Sequence, residues 1–310
     1  MRARFHGAES RALTSPDMSV SESLGTPRSV MLPAGPIHYR ERGAGRPVVF
    51  VHGFLVNGDL WRHVVPTVAE AGYRCLTPDW PLGSHGAPMN ANADLKPPHL
   101  AGLIASFLEA LDLDDVVLVA NDTGGALTQL VMTQHPQRVG AVVLTNCDAF
   151  ERFFPPLFAY LTVLPKIPGA LPLMAQSMRF RFVRQMPNAF GLLTHRRIPD
   201  DVMASYVTPV RQPEIRRDVA KVLRGVNKRY TIEAAKAMPS FRKPVLFAWG
   251  VDDKAFRIAE AQRLAAVLPD AKVVPIEGSR TFVAEDQPDV LARHILEFLA
   301  GAGGVGASLG

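Results

Sequence analysis

An apolar run over residues 116–120 breaks into Asn121-Asp122-Thr123-Gly124-Gly125, and helical spacing follows to about residue 135. That is the pattern of a buried strand turning sharply into a helix. At such a junction the residue at the bend is thrust outward, and glycine is needed where backbone passes close to backbone. The residue at this bend is Asp122, a carboxylate at the positive end of a helix. A carboxylate placed there suits a nucleophile that attacks carbon and forms an ester. A plain helix N-cap would also accept Asp before Thr and Gly. The paired glycines favour a nucleophile or active-site acid.

The rest of the chain agrees with one large α/β domain. Strands are expected at residues 29–32, 37–42, 48–51, 73–77, 116–120, 139–147, 244–249 and 272–276. Helical spacing falls at about 59–71, 99–111, 124–135, 255–268 and 288–299. Strands alternating with helices imply a mostly parallel eight-stranded sheet covered on both faces. Hydrophobic residues make up 47% of the chain and charged residues 20%, enough apolar surface for a sizeable core. Cys75 and Cys147 lie in strand-like runs, so they read as core thiols in a reducing, cytoplasmic setting rather than as a disulfide.

Regular alternation stops between residues 150 and 240, where Pro, Phe, Leu and Arg occur at helical spacing. An insertion of that length after the sixth strand is expected to be a helical cap over the strands' carboxyl ends, where ligands bind. The expected organisation is a disordered leader at 1–28, a core at 29–149 and 241–300, the cap at 150–240, and a flexible tail at 301–310. The cap carries 15 Lys/Arg against six Asp/Glu, although the whole chain is only +5. We read this excess as a solvated helical face, with an anionic substrate, partner or membrane surface as the alternatives. No recognition motif for nucleic acid accompanies the charge, and no apolar run is long enough to span a bilayer. No cofactor or metal is expected; oligomeric state is open.

Three motifs, in this order and spacing, resemble the α/β-hydrolase superfamily and, within it, the haloalkane dehalogenase and epoxide hydrolase branch. His52-Gly53-Phe54-Leu55, followed by Asp59-Leu60-Trp61-Arg62, resembles the oxyanion-hole loop. The Asp122 bend resembles the aspartate elbow of that branch. Trp249-Gly250-Val251-Asp252-Asp253 resembles the strand-end acid motif. The resemblance implies that Asp122 attacks an sp³ carbon while the backbone N–H groups of Phe54 and Thr123 stabilise its second oxygen. Asp253, or alternatively Asp148 after the sixth strand, would orient a histidine that activates water. His52 would belong to the oxyanion loop.

The chain departs from that pattern in two places. The segment Gly278-Ser279-Arg280-Thr281-Phe282-Val283-Ala284-Glu285-Asp286 matches the family's histidine segment in its flanks, but Thr281 stands in the histidine slot. A threonine hydroxyl cannot take a proton near neutral pH. His85, in the loop after the fourth strand, is the substitute base to be weighed; His195 and His294 have less to support them. Thr123 and Phe54 also stand where dehalogenases place residues that cradle the leaving halide. Tyr160, Tyr206 and Tyr230 are the cap tyrosines available to protonate an epoxide oxygen, and no motif singles one out. The reading is an enzyme acting on a small, largely apolar molecule through Asp122, hydrolase-like but without the histidine base. The alternatives are a lyase, isomerase or cyclase on the same scaffold, or an inactive binding protein.

Overall fold

The computed structural model describes residues 19–303. Eight strands run through them: β1 (Thr26–Leu32), β2 (Gly35–Arg42), β3 (Arg46–Val51), β4 (Tyr73–Pro78), β5 (Val116–Asp122), β6 (Val139–Cys147), β7 (Val245–Gly250) and β8 (Ala271–Ile276). They form one sheet in the order β1-β2-β4-β3-β5-β6-β7-β8. Pairing is parallel from β4 across to β8, and the β1–β2 hairpin adds antiparallel strands at one edge. β6 and β7 are buried along their whole length, which suits their largely apolar sequences, with Thr145 and Asn146 the polar residues near the end of β6. β8, at the far edge, is half covered and mixes Lys272 with its valines.

The crossovers and flanks are helical. The first half supplies α1 (Val65–Glu70), α2 (Pro97–Ala110) and α3 (Thr123–Gln134). α2 buries Leu100, Leu103, Ile104, Phe107 and Leu108, a stripe at helical spacing. The insertion between β6 and β7 holds α4 (Ala170–Ser177), α5 (Arg181–Arg184), α6 (Asp200–Val207), α7 (Pro213–Gly225) and α8 (Lys228–Ala237), joined by short 3₁₀ turns. The chain closes with α9 (Ile258–Ala265), α10 (Val283–Asp286) and α11 (Pro288–Gly303).

Two boundaries differ from expectation. Residues 19–28, expected to belong to a disordered leader, are held by contacts with the core. Ser19 is buried, with its N–H on Asp79, and the N–H groups of Val20 and Ser21 bond to Asp59. β1 then begins at Thr26. Buried carboxylates far along the chain fix these residues, and local composition carries no trace of such partners. At the other end of the cap, α8 lies against α3 of the core, so the last part of the insertion belongs with the sheet domain. The leader's first part, at residues 1–18, and the tail at 304–310 lie outside the described residues.

Candidate active site

Asp122 ends β5 with φ 53° and ψ −131°, a left-handed conformation unusual for any residue but glycine. The bend is held by close packing. A side chain at Gly124 would collide with the carbonyls of Val51 and His52 at the end of β3, and one at Gly53 would occupy the place of the Asp122 carboxylate. These approaches bring the loop after β3 onto the elbow. The Asp122 Oδ2 accepts from the Phe54 N–H at 3.0 Å, and the Thr123 N–H also bonds to the carboxylate. Burial pushes the Asp122 pKa up to about 6 against the pull of those two N–H groups, and the nearby Asp253 adds to the rise.

The carboxylate faces an apolar cavity. Phe54 and Leu55 wall it from the core; Phe154, Phe158, Leu161, Met174, Met178, Phe190 and Leu193 wall it from the cap. Tyr160 and Asn188 add polar atoms, but the Tyr160 hydroxyl donates to the Asn188 carbonyl at 2.8 Å. Tyr206 and Tyr230 are not among the lining residues. Tyr206 is fully buried with no partner for its hydroxyl, and Tyr230 packs beneath Arg229.

Thr281 is fully buried and its Oγ1 donates to Asp253 Oδ2 at 2.7 Å. The same oxygen accepts from Asn146 Nδ2 at 2.9 Å, while Asp253 Oδ1 accepts from the N–H groups of Ala255 and Phe256. Burial raises the Asp253 pKa despite these four donors. Asn121 bridges elbow and loop: its Nδ2 lies 2.7 Å from the Thr281 carbonyl and 2.8 Å from Thr145 Oγ1. Asp148 has a different environment. It is fully buried, its nearest donor is Thr123 Oγ1 at 3.4 Å, and its Oδ1 has no partner. Burial, then the charge on Asp122, drives its pKa well above the ordinary range.

The flanks of Thr281 are pinned on both sides. Glu285 makes a buried two-pronged ion pair with Arg62, at 2.5 and 2.7 Å. Asp286 accepts from Thr194 Oγ1, from the N–H groups of His195 and Arg196, and from the Arg280 N–H. The Phe282 N–H donates to the Leu193 carbonyl at 2.7 Å. Glu285 therefore ties the loop to the segment after β3, and Asp286 ties it to the cap.

Among the described residues, no histidine lines the Asp122 cavity. The structure does not bring His85 there: its Nδ1 accepts from the Gly83 N–H and its Nε2 lies 3.4 Å from Asp218 of α7. Burial lowers its pKa, with the Asp218 contact opposing. His52 is buried with Nε2 accepting from the Trp80 N–H at 2.8 Å, and burial lowers its pKa to about 3. It braces the loop after β3 and is not among the residues lining the cavity. His195 pairs with Asp252 at 2.9 Å on the surface, and His294 with Glu297 on α11. Sequence reasoning missed Asn146, Arg62 and Glu285 as organisers of the site. The signal for Asn146 was a polar residue closing an apolar strand. Arg62 and Glu285 lie in quoted motifs, yet nothing local pairs them.

The model for the alpha/beta hydrolase fold family matches residues 46–288. A Mycobacterium tuberculosis protein named haloalkane dehalogenase 2 is 28% identical over 268 residues, covering 85% of this chain and 91% of its own. A Xanthomonas campestris protein named cis-3-alkyl-4-alkyloxetan-2-one decarboxylase is 26% identical, covering 82% of this chain and 88% of its own. In fold, the chain resembles the crystal structure of the haloalkane dehalogenase DbeA from Bradyrhizobium elkani. The TM-score is 0.75 at 21% identity, over 90% of this chain and 99% of that one.

Proposed function

This chain belongs to the alpha/beta hydrolase fold family, and we propose that it is an enzyme that captures a small apolar carbon electrophile as an ester on Asp122. The observation that carries this reading is the strained elbow carboxylate, held through Oδ2 by the Phe54 N–H at 3.0 Å, at the floor of an apolar cavity. In the first step a carboxylate oxygen forms a C–O bond to an sp³ carbon. The leaving atom departs with the bonding electrons, and a strained ring oxygen departs without detaching from the product. The negative charge of the carboxylate is lost as the ester forms, and the N–H groups of Phe54 and Thr123 hold its carbonyl oxygen.

The second step needs water made nucleophilic. An imidazole at position 281 would do this; the Thr281 hydroxyl, committed to Asp253, cannot. The ester should therefore persist. Among the described residues no indole N–H lines the cavity, so a departing halide has no such cradle, while a ring oxygen would open to an alkoxide that takes its proton from water. The relatives' name haloalkane dehalogenase supports hydrolase-type chemistry.

A second reading is favoured by Thr281 together with the relative named a decarboxylase. Here Asp122 would begin a non-hydrolytic reaction that needs no activated water, and turnover would occur with no base at position 281.

The test is intact-mass measurement after incubation with apolar epoxides, alkyl halides and strained cyclic esters. The proposal expects one added mass per chain, absent in Asp122→Asn. Turnover of a cyclic ester without a lasting adduct would support the second reading. Neither adduct nor turnover with any probe would sink both.

A further inference from the structure

We propose that the outer face of the cap, across residues 160–187, docks onto an anionic lipid bilayer. Across residues 152–199 the chain contains no Asp or Glu but seven Lys/Arg; Arg152 pairs with Glu260 and Arg197 with Asp200, which leaves Lys166, Arg179, Arg181, Arg184 and Arg196. No carboxylate among the described residues forms an ion pair with any of those five.

Large apolar side chains are exposed on the same stretch. Leu173 is 72% exposed, Phe182 68% and Ile167 52%, joined by Val163, Phe180 and Met186. Elsewhere among the described residues only Val20 and Met31 are large, apolar and exposed. Arg179-Phe180-Arg181-Phe182 alternates the two kinds directly. The Phe180 and Phe182 rings lie 5.8 Å apart, and the Arg179 guanidinium sits 4.6 Å over the Phe180 ring.

A solvated charged face does not need exposed phenylalanines, and an apolar protein interface does not need unpaired arginines. An anionic lipid surface uses both: aromatic and aliphatic side chains enter the boundary between headgroups and acyl chains, and arginines meet the phosphates. The stretch folds back on itself through the Tyr160–Asn188 bond, and its inner side lines the Asp122 cavity through Met174 and Met178. Docking would set the cavity beside a reservoir of apolar molecules. That consequence rests on the reading of the cavity as a substrate site; docking itself does not.

The experiment is co-sedimentation of the full chain with phosphatidylcholine vesicles, with and without phosphatidylglycerol. Binding is expected only with phosphatidylglycerol and should weaken as NaCl rises. Arg181→Ser and Arg184→Ser should each cost about fivefold. Phe182→Ser and Leu173→Ser should each cost roughly tenfold, because apolar burial is lost. Asp122→Asn should bind unchanged, which separates this proposal from the one about chemistry. Amide exchange in the unmodified chain gives a readout that needs no variant: vesicles should slow exchange across residues 163–187 and leave β5–β7 unchanged. Absence of sedimentation with the mixed vesicles overturns the proposal. So does equal binding to polyglutamate that ignores Phe182→Ser, which would assign the face to an acidic protein partner.

Discussion

At the residue scale, the decisive group is a carboxylate whose burial sets two consequences of opposite value. Asp122 titrates near 6, above the ordinary 3.8, because burial disfavours its charged form. Between those values the folded protein holds a proton that the unfolded chain has released. Stability therefore falls as pH rises through that window, by about 3 kcal/mol in all. Asp122→Asn carries no charge to bury. Its melting temperature should exceed that of the unmodified chain at pH 8, and the gap should shrink below pH 6 and vanish below about pH 4. Thermal melts across that range check this; a gap independent of pH would mean that the carboxylate is not charged in place. Adduct formation should run the other way, slowing as pH drops through about 6 because only the ionised form attacks. Thr281→His provides the complementary test. It should speed loss of the ester by roughly 10²–10⁴-fold, measured by the decay of the adduct mass. The larger ring should also cost about 1–3 kcal/mol in a slot that is now filled.

At the element scale, the loop from β8 to α11 is held in place by its flanks. The Arg62–Glu285 pair is buried at both ends, with side-chain exposures of 7% and 3%. Removing one partner strands the other charge in the interior, so Glu285→Ala should destabilise the fold by about 3–5 kcal/mol in urea unfolding. A loss under 1 kcal/mol would show that water reaches Arg62. This same loop marks the limit of what sequence could reveal. The elbow, the eight strands and the cap were legible because each is a local pattern of apolar runs, glycines and helical spacing. Thr281 stood out as a departure within a segment whose flanks fit the resembled motif. The pairs His85–Asp218, Ser19–Asp79 and Arg62–Glu285 were not, since their members lie 133, 60 and 223 residues apart and neither partner announces the other. His85 thus looked available from its loop and proves to be committed to α7.

At the scale of the whole molecule, the core contributes the carboxylate and its N–H donors, and the cap contributes most of the apolar wall. On the proposed reading, recognition and chemistry would come from different parts of the chain, and they should separate experimentally. In Asp122→Asn, which binds without reacting, affinity for a homologous series of linear alkyl alcohols should rise by about 0.8 kcal/mol per methylene while the chain still finds wall. Beyond the length of the cavity the increment should stop. Met178 stands on the cap side with 5% of its surface exposed, so Met178→Trp should shorten the longest ligand accepted. It should leave the increment for the shorter ones unchanged, because Phe54 and Leu55 still meet them near the carboxylate. Ligand-induced shifts in melting temperature report both effects. Equal affinity for short polar and long apolar alcohols would remove the cap's role in selection, leaving the elbow as a reactive carboxylate without a specificity pocket.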